Sequence, residues 1–213
     1  MAITKLDICN NALDLVGQGT HITDLANEQS KEADLCRRLF DVELERALDK
    51  FNFSFARKDE IITSDYLLED AVSFPYKYTY TLPSDVQRIL YLSEVTDNRS
   101  IEKIRNETID YNFRVLNNQK CLVTDHEAPF VIQYQAKITD ISLLSDTFIQ
   151  AFEYQLASRL APALVHGTTG VQIGTNHLMT ATTLFNTCAG QDAQQGSNSI
   201  KPESTPSFIV ARG

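Results

Sequence analysis

Along the first fifty positions apolar residues recur at helical spacing. Leu6, Cys9, Leu13 and Val16 are three or four apart, Thr4 stands where an N-cap is needed, and Gly17 follows as a stop. This predicts a short helix with one buried stripe. After a polar linker clasped by Ile22 and Leu25, a longer helix is predicted from about Lys31 to Phe51. It carries Ala33, Cys36, Phe40, Leu44, Ala47, Leu48 and Phe51 on one face. From about Ser73 the period changes to two. Tyr76, Tyr78, Tyr80 and Leu82 alternate with polar residues, Pro83-Ser84-Asp85 signals a turn, and Ile89 and Tyr91 continue the alternation. Ile109, Tyr111, Phe113 and Val115 form a further alternating set. A segment beginning at Cys121 and another with Phe130, Ile132, Tyr134 and Ala136 complete about five short strands, a small antiparallel sheet or sandwich.

Helical spacing then returns. Phe148, Phe152, Leu156, Leu160 and Leu164 recur every four residues, with alanines 151, 157, 161 and 163 keeping the helix slim; Pro162 is expected to kink or end it near its last turn. A last helix is predicted near Val171 to Gln191, with Leu178, Ala181, Leu184, Phe185 and Cys188 on it. The order is therefore helix pair, β insertion, helix pair, tail. The predicted class is α+β: an antiparallel four-helix base (1–72 and 140–195), a small antiparallel β module projecting from it (73–139), and an extended C-terminal tail (196–213). Pro202 and Pro206 forbid regular structure in that tail, yet it carries Phe208, Ile209 and Val210, which a merely solubilising segment has no use for.

Charge narrows the picture. Nineteen Lys plus Arg against 28 Asp plus Glu give a formal net charge of -9, and no basic run is longer than Arg37-Arg38. Such a surface repels phosphate and argues against a nucleic-acid binder. The doublet reads as a solvated helix face, with Asp34 four residues before Arg38 and Asp41 four after Arg37. No run of eighteen apolar residues and no signal-peptide pattern occurs, so neither a membrane span nor export is expected.

Candidate chemistry is sparse. The four cysteines include no CxxC pair, the four histidines are scattered, and phosphate loops, HExxH and G-x-S-x-G are all missing. Cys121 lies near Asp125 and His126, but the thiol begins a strand while the other two sit in the turn after it. No catalytic residue, metal or cofactor is expected, and the chain is read as a non-enzyme.

Four stretches resemble the tail tubular protein A and head-to-tail adaptor family of short-tailed bacteriophages. They are Ile8-Cys9-Asn10-Asn11-Ala12-Leu13 running to Val16-Gly17; Ala33 to Lys58, which opens as A-x-x-C with Ala33 and Cys36, continues with regularly spaced acidic and basic residues and ends in Phe51-Asn52-Phe53 with Ala56-Arg57; Tyr78 to Asp85 with Arg88 and Ile89; and Tyr134 to Asp140 followed by Phe152 to Val165. The family usually has tryptophan before Asn-Phe, where this chain has Phe51. The resemblance implies a structural connector of the virion neck, assembled in the bacterial cytoplasm. It would form a dodecameric ring under the portal protein, with double-stranded DNA passing through the channel without tight binding. The next component would be a tail nozzle similar to tail tubular protein B, together with a tail fibre or tailspike. On that basis Phe208, Ile209, Val210 and Arg212 are candidates for the portal contact, and Tyr76, Tyr78 and Tyr80 for a partner surface on the β module. The bland alternatives stay open: the tail folds back on its own subunit, and the tyrosines divide between core and surface. A second functional reading is a monomeric ligand- or peptide-binding module that uses the β insertion.

Overall fold

The structure is a computed structural model that describes residues 3–68, 75–95, 109–116 and 118–197. Among the described residues it is a mixed α and β protein with four helices and two small antiparallel sheets of three strands each. The helices are α1 (Lys5–Val16), α2 (Lys31–Leu48), α3 (Asp146–Leu164) and α4 (Gly167–Ser197). The strands are β1 (Arg57–Ile62), β2 (Tyr78–Thr81), β3 (Val86–Glu94), β4 (Tyr111–Leu116), β5 (Gln119–Thr124) and β6 (Phe130–Ala136). Two compact units divide the chain, one of residues 1–40 with 144–213 and the other of residues 41–143.

In the helical unit, α1 begins with a capping box. The Thr4 side chain accepts the Asp7 backbone N–H at 3.2 Å while the Asp7 carboxylate accepts the Thr4 N–H at 2.9 Å. Gly17 ends the helix in the left-handed region, φ 82°, where its N–H reaches the carbonyls of Asp14 and Leu13. The buried face is Ile8, Cys9, Ala12, Leu13 and Val16, whereas Leu6 is only half-buried. Asn10 clamps the following loop at both backbone atoms of Ile22, accepting its N–H at 2.8 Å and donating to its carbonyl at 3.0 Å. Arg37 secures the same loop by donating to the carbonyls of Leu25 and Glu28 at 3.0 and 2.8 Å. Arg38 and Asp34 do pair, at 3.1 Å.

Helix α3 is the axis of this unit and packs on both α1 and α4. Phe148, Phe152, Leu156, Leu160 and Ala161 are fully buried; Phe152 stands edge-on to Phe40 at 5.1 Å and Phe148 edge-on to Phe185 at 5.4 Å. Pro162 lacks the N–H that would bond the Ser158 carbonyl, and the helix ends two residues later. That carbonyl is met by the next helix. A Cβ built on Gly174 would lie 2.7 Å from the Ser158 oxygen, and one on Gly170 only 2.2 Å from the Val165 oxygen. Two bare glycines one helical turn apart therefore let α3 and α4 approach backbone to backbone. Helix α4 starts earlier than its apolar stripe suggests, because Gly167, φ 76°, turns the chain directly out of α3.

In the β-rich unit one sheet has the order β1-β6-β3 and the other β2-β5-β4. The sheets share a core of Ile62, Tyr80, Ile89, Leu92, Leu122, Phe130, Ile132, Tyr134 and Ala136. The predicted alternation in β6 is met in full, since all four of its expected inward residues are buried. In β3 the register against β6 shifts between Ile89 and Tyr91, so Leu92 enters the core and Tyr91 stays half-buried. In β4 the pattern stops one residue early, leaving Val115 72% exposed. Strand β1 was not anticipated. It is an edge strand whose inward position 60 is a glutamate, so its sequence, RKDEII, shows no apolar alternation.

The end of α2 is stitched to the centre of the first sheet. Gln135, fully buried on β6, donates to the carbonyls of Leu48 and Phe51, the latter at 3.1 Å, so these carbonyls have partners although the helix has stopped. Arg88 donates to Asn52 Oδ1 and, at 3.0 Å, to Gln135 Oε1. Helix α2 closes at Leu48, short of the expected Phe51. Beyond it, Phe53 is fully buried and stacks on Phe55 at 5.1 Å.

Candidate partner surfaces

Tyr76, Tyr78 and Tyr80 separate in the structure. Tyr80 is 1% exposed: its hydroxyl donates to the His126 carbonyl at 3.2 Å, accepts the Ala128 N–H at 2.9 Å, and its ring meets Phe130 edge-on at 5.1 Å. The expectation that Tyr80 lies on a partner surface is thereby corrected. Its inward position on β2 puts it in the core, where burial raises the pKa of its hydroxyl above the ordinary value. Tyr76 and Tyr78 are half-buried, and the Tyr78 hydroxyl lies 3.4 Å from Glu127. Phe208, Ile209, Val210 and Arg212 lie outside the described residues.

Cys121 is fully buried with its Sγ 3.6 Å from the Gln119 carbonyl, and burial pushes the thiol pKa up. A thiol so placed is neither ionised nor reachable by a substrate. The His126 ring packs against Phe130, 6.1 Å between centroids, while its backbone N–H bonds Thr124 Oγ1 at 3.2 Å. Among the described residues no three His, Cys, Asp or Glu side chains are grouped so as to hold a metal ion. No described helix is long and apolar enough to cross a membrane.

The densest polar cluster joins β1 to the start of β3. Tyr134 Oη lies 3.1 Å from Glu60 Oε2 and 3.0 Å from Asp85 Oδ1; Tyr66 donates to Glu60 Oε1 at 2.6 Å, and Lys58 pairs with Asp85 at 2.5 Å. Burial opposes ionisation of Asp85, but the hydrogen bonds from Lys58 and Tyr134 together outweigh it and hold the carboxyl below its usual range. Burial, then the hydrogen bonds to and charges of the two carboxylates, hold the Tyr134 phenol far above its ordinary pKa of 10. The cluster ties β1 and the Asp85 turn to the middle strand.

Its pH signature follows from the sign of the shift. An acid whose folded pKa is raised stabilises the fold fully below its unfolded pKa and loses that stabilisation as pH rises beyond it. The shifts at Tyr134, Tyr80 and Tyr111 are all upward, with burial the leading cause. In an alkaline titration followed by tyrosinate absorbance, stability will fall above pH 10, and the Tyr134 ring will ionise only as the β-rich unit opens. Ionisation of every tyrosine near pH 10 with the fold intact would contradict this burial.

One further surface is not marked by any motif. Helix α4 runs 31 residues with a single charged side chain, Asp192, in a chain in which 22% of residues are charged. Its inner face carries Gly170, Gly174, Ala181, Phe185 and Cys188, and the outer face leaves Val171, Leu178 and Met179 exposed by 58%, 45% and 64%. Leu178 has the spacing of the buried Ala181, Phe185 and Cys188 but lies at the edge of their stripe.

The chain matches neither a known protein-family model nor any curated protein.

Proposed function

We propose that this chain is a structural head-to-tail adaptor of a short-tailed phage virion. It would form a ring under the portal, extend the channel for DNA, and give the tail nozzle its attachment site. On this reading the helices constitute an antiparallel four-helix base and the β-rich unit serves a second partner through Tyr76 and Tyr78. The observation that carries it is where the residues of the resemblance fall. Ile8, Cys9, Ala12 and Leu13 are the core face of α1, Asn10 holds the Ile22 loop, and Asn11 donates to Glu153 at 2.6 Å. Asn52, Asp85, Arg88, Tyr134 and Gln135 make the bonds that join α2, β1, β3 and β6. Phe152, Leu156 and Leu160 are the core of α3. A likeness concentrated on framework positions of both units is a likeness of architecture, and it favours an adaptor's scaffold over a shared chemical site.

The reading is tested by mixing the purified chain with the portal protein encoded in the same genome and imaging the mixture by electron microscopy. A ring of this chain seated on the portal is expected. Deleting residues 197 to 213 is expected to leave the helical circular dichroism in place and to weaken portal capture. A chain that stays monomeric and ignores the portal refutes the adaptor; equal capture of full and shortened chains refutes the tail contact. A monomer that binds a small molecule or peptide instead would return the function to a ligand-binding module.

A further inference from the structure

We infer that Cys9 of α1 and Cys36 of α2 are a redox pair, two thiols that a small-molecule disulfide converts into a bond joining the first two helices. The pairing rests on register as well as on contact. The two cysteine side chains are hydrogen-bonded to each other. One turn away, Lys5 Nζ lies 5.1 Å from the centroid of the Phe40 ring. Cys9 is four residues after Lys5 and Cys36 four before Phe40, so the two contacts are successive rungs between helices that run in opposite directions. Both cysteines are fully buried, and close packing around them keeps the sulfurs facing each other.

The two thiols are not equivalent. The hydrogen bond from Cys9 is the largest influence on Cys36 and holds its thiol below the ordinary value, against burial and the Glu32 charge, which both push it up. Cys36 is therefore the attacking sulfur and Cys9 the resolving one. With oxidised glutathione as the oxidant, the Cys36 thiolate attacks one of its sulfurs and expels a glutathione thiolate, leaving a mixed disulfide. The Cys9 thiolate then attacks the Cys36 sulfur, expels the second glutathione and completes the Cys9–Cys36 bond. The protein gives up two protons and two electrons, and the oxidant becomes two thiols. The first attack belongs to moments when α1 lifts from α2, a local opening of a 12-residue helix.

The other two cysteines are placed differently. Cys121 Sγ faces the Gln119 carbonyl at 3.6 Å and Cys188 Sγ the Ser145 hydroxyl at 3.5 Å, and burial raises both thiol pKa values. A reducing cytosol keeps a pair such as Cys9 and Cys36 as thiols, and an oxidising medium closes it. Closure ties together the two ends of the segment that holds the Ile22 loop and restricts the unfolded chain, so it stabilises the helical unit. The inference goes beyond the adaptor and holds whether or not the chain forms a ring.

The test equilibrates the full chain in buffers of reduced and oxidised glutathione, once folded and once in urea, starting from reduced chain and from chain refolded in the buffer. Free thiols are then alkylated and the bonded peptides identified by mass spectrometry. The disulfide between Cys9 and Cys36 is expected to tolerate a buffer more reducing by on the order of 100-fold in the folded chain than in urea, with the 222 nm circular dichroism retained. Equal tolerance in the two states overturns the inference. So do four free thiols in the folded chain, oxidation mainly at Cys121 or Cys188, persistent glutathione adducts in place of the bond, or a bond that forms only with loss of helical signal. Portal does not enter this measurement, so the adaptor can fail while the pair stands, and the reverse.

Discussion

Leu156→Asp will unfold the helical unit. Leu156 is fully buried at the middle of α3, in line with Phe152 and Leu160, which are buried as completely. Removing a leucine's apolar contacts at such a site costs about 2–5 kcal/mol by itself. The aspartate adds a carboxylate without a cationic partner among these neighbours, and it must either stay protonated or draw water into the core. Against a total stability of about 5–15 kcal/mol for an ordinary domain, the combined loss leaves little folded population. Far-ultraviolet circular dichroism will report it as a collapse of the 222 nm signal or of the melting transition. A cooperative melt indistinguishable from wild type would mean that the stripe from Phe148 to Leu160 is not a core.

Gly174→Val is expected to separate α3 from α4. The new Cβ would stand 2.7 Å from the Ser158 carbonyl oxygen and 3.3 Å from the Pro162 ring, and neither can swing aside: one is main chain, the other a ring fixed to it. Relief requires the helices to move apart, which would loosen the Phe148–Phe185 contact. Overpacking of this kind costs about 1–3 kcal/mol, and valine's branched chain lies towards the upper end because it also disfavours the helical rotamers. The measurement is chemical denaturation followed at 222 nm, with Gly190→Val as the control. A Cβ at Gly190 meets nothing within 4 Å, so that variant should lose only the cost of a β-branched residue in an exposed helix, offset by glycine's own. Equal stability of the two variants would contradict the close approach.

What the sequence disclosed depended on whether the physical signal was apolar. Helices α1 and α3 were legible because Leu13, Val16, Phe152 and Leu156 recur at the helical period and because Thr4 and Gly17 are chemically suited to begin and end a helix. Strand β6 was legible for the same reason, at period two. By contrast β1 was hidden, since its inward Glu60 is stabilised by the hydroxyls of Tyr66, beyond the end of the strand, and Tyr134, far along the chain, which lend it no apolar alternation. The early end of α2 was hidden too: the residue that donates to its last carbonyl is Gln135, on β6. A bulge in β3 exchanged Tyr91 for Leu92 without any glycine or proline to announce it. At the candidate surfaces, the tyrosine alternation identified a strand but not which ring faces inward, and Tyr80 proved to be core.

The pairing of α1 with α3 has a consequence for how the molecule is made. A ribosome adding about 5–20 residues per second finishes α1 on the order of ten seconds before it reaches α3, the helix packed against it. All six described strands emerge in that interval, so the β-rich unit has the means to close on itself while the first helix still lacks that neighbour. Such delayed, sequence-distant closure is slow by its topology, and a newborn chain of this kind is a natural client for a holding chaperone.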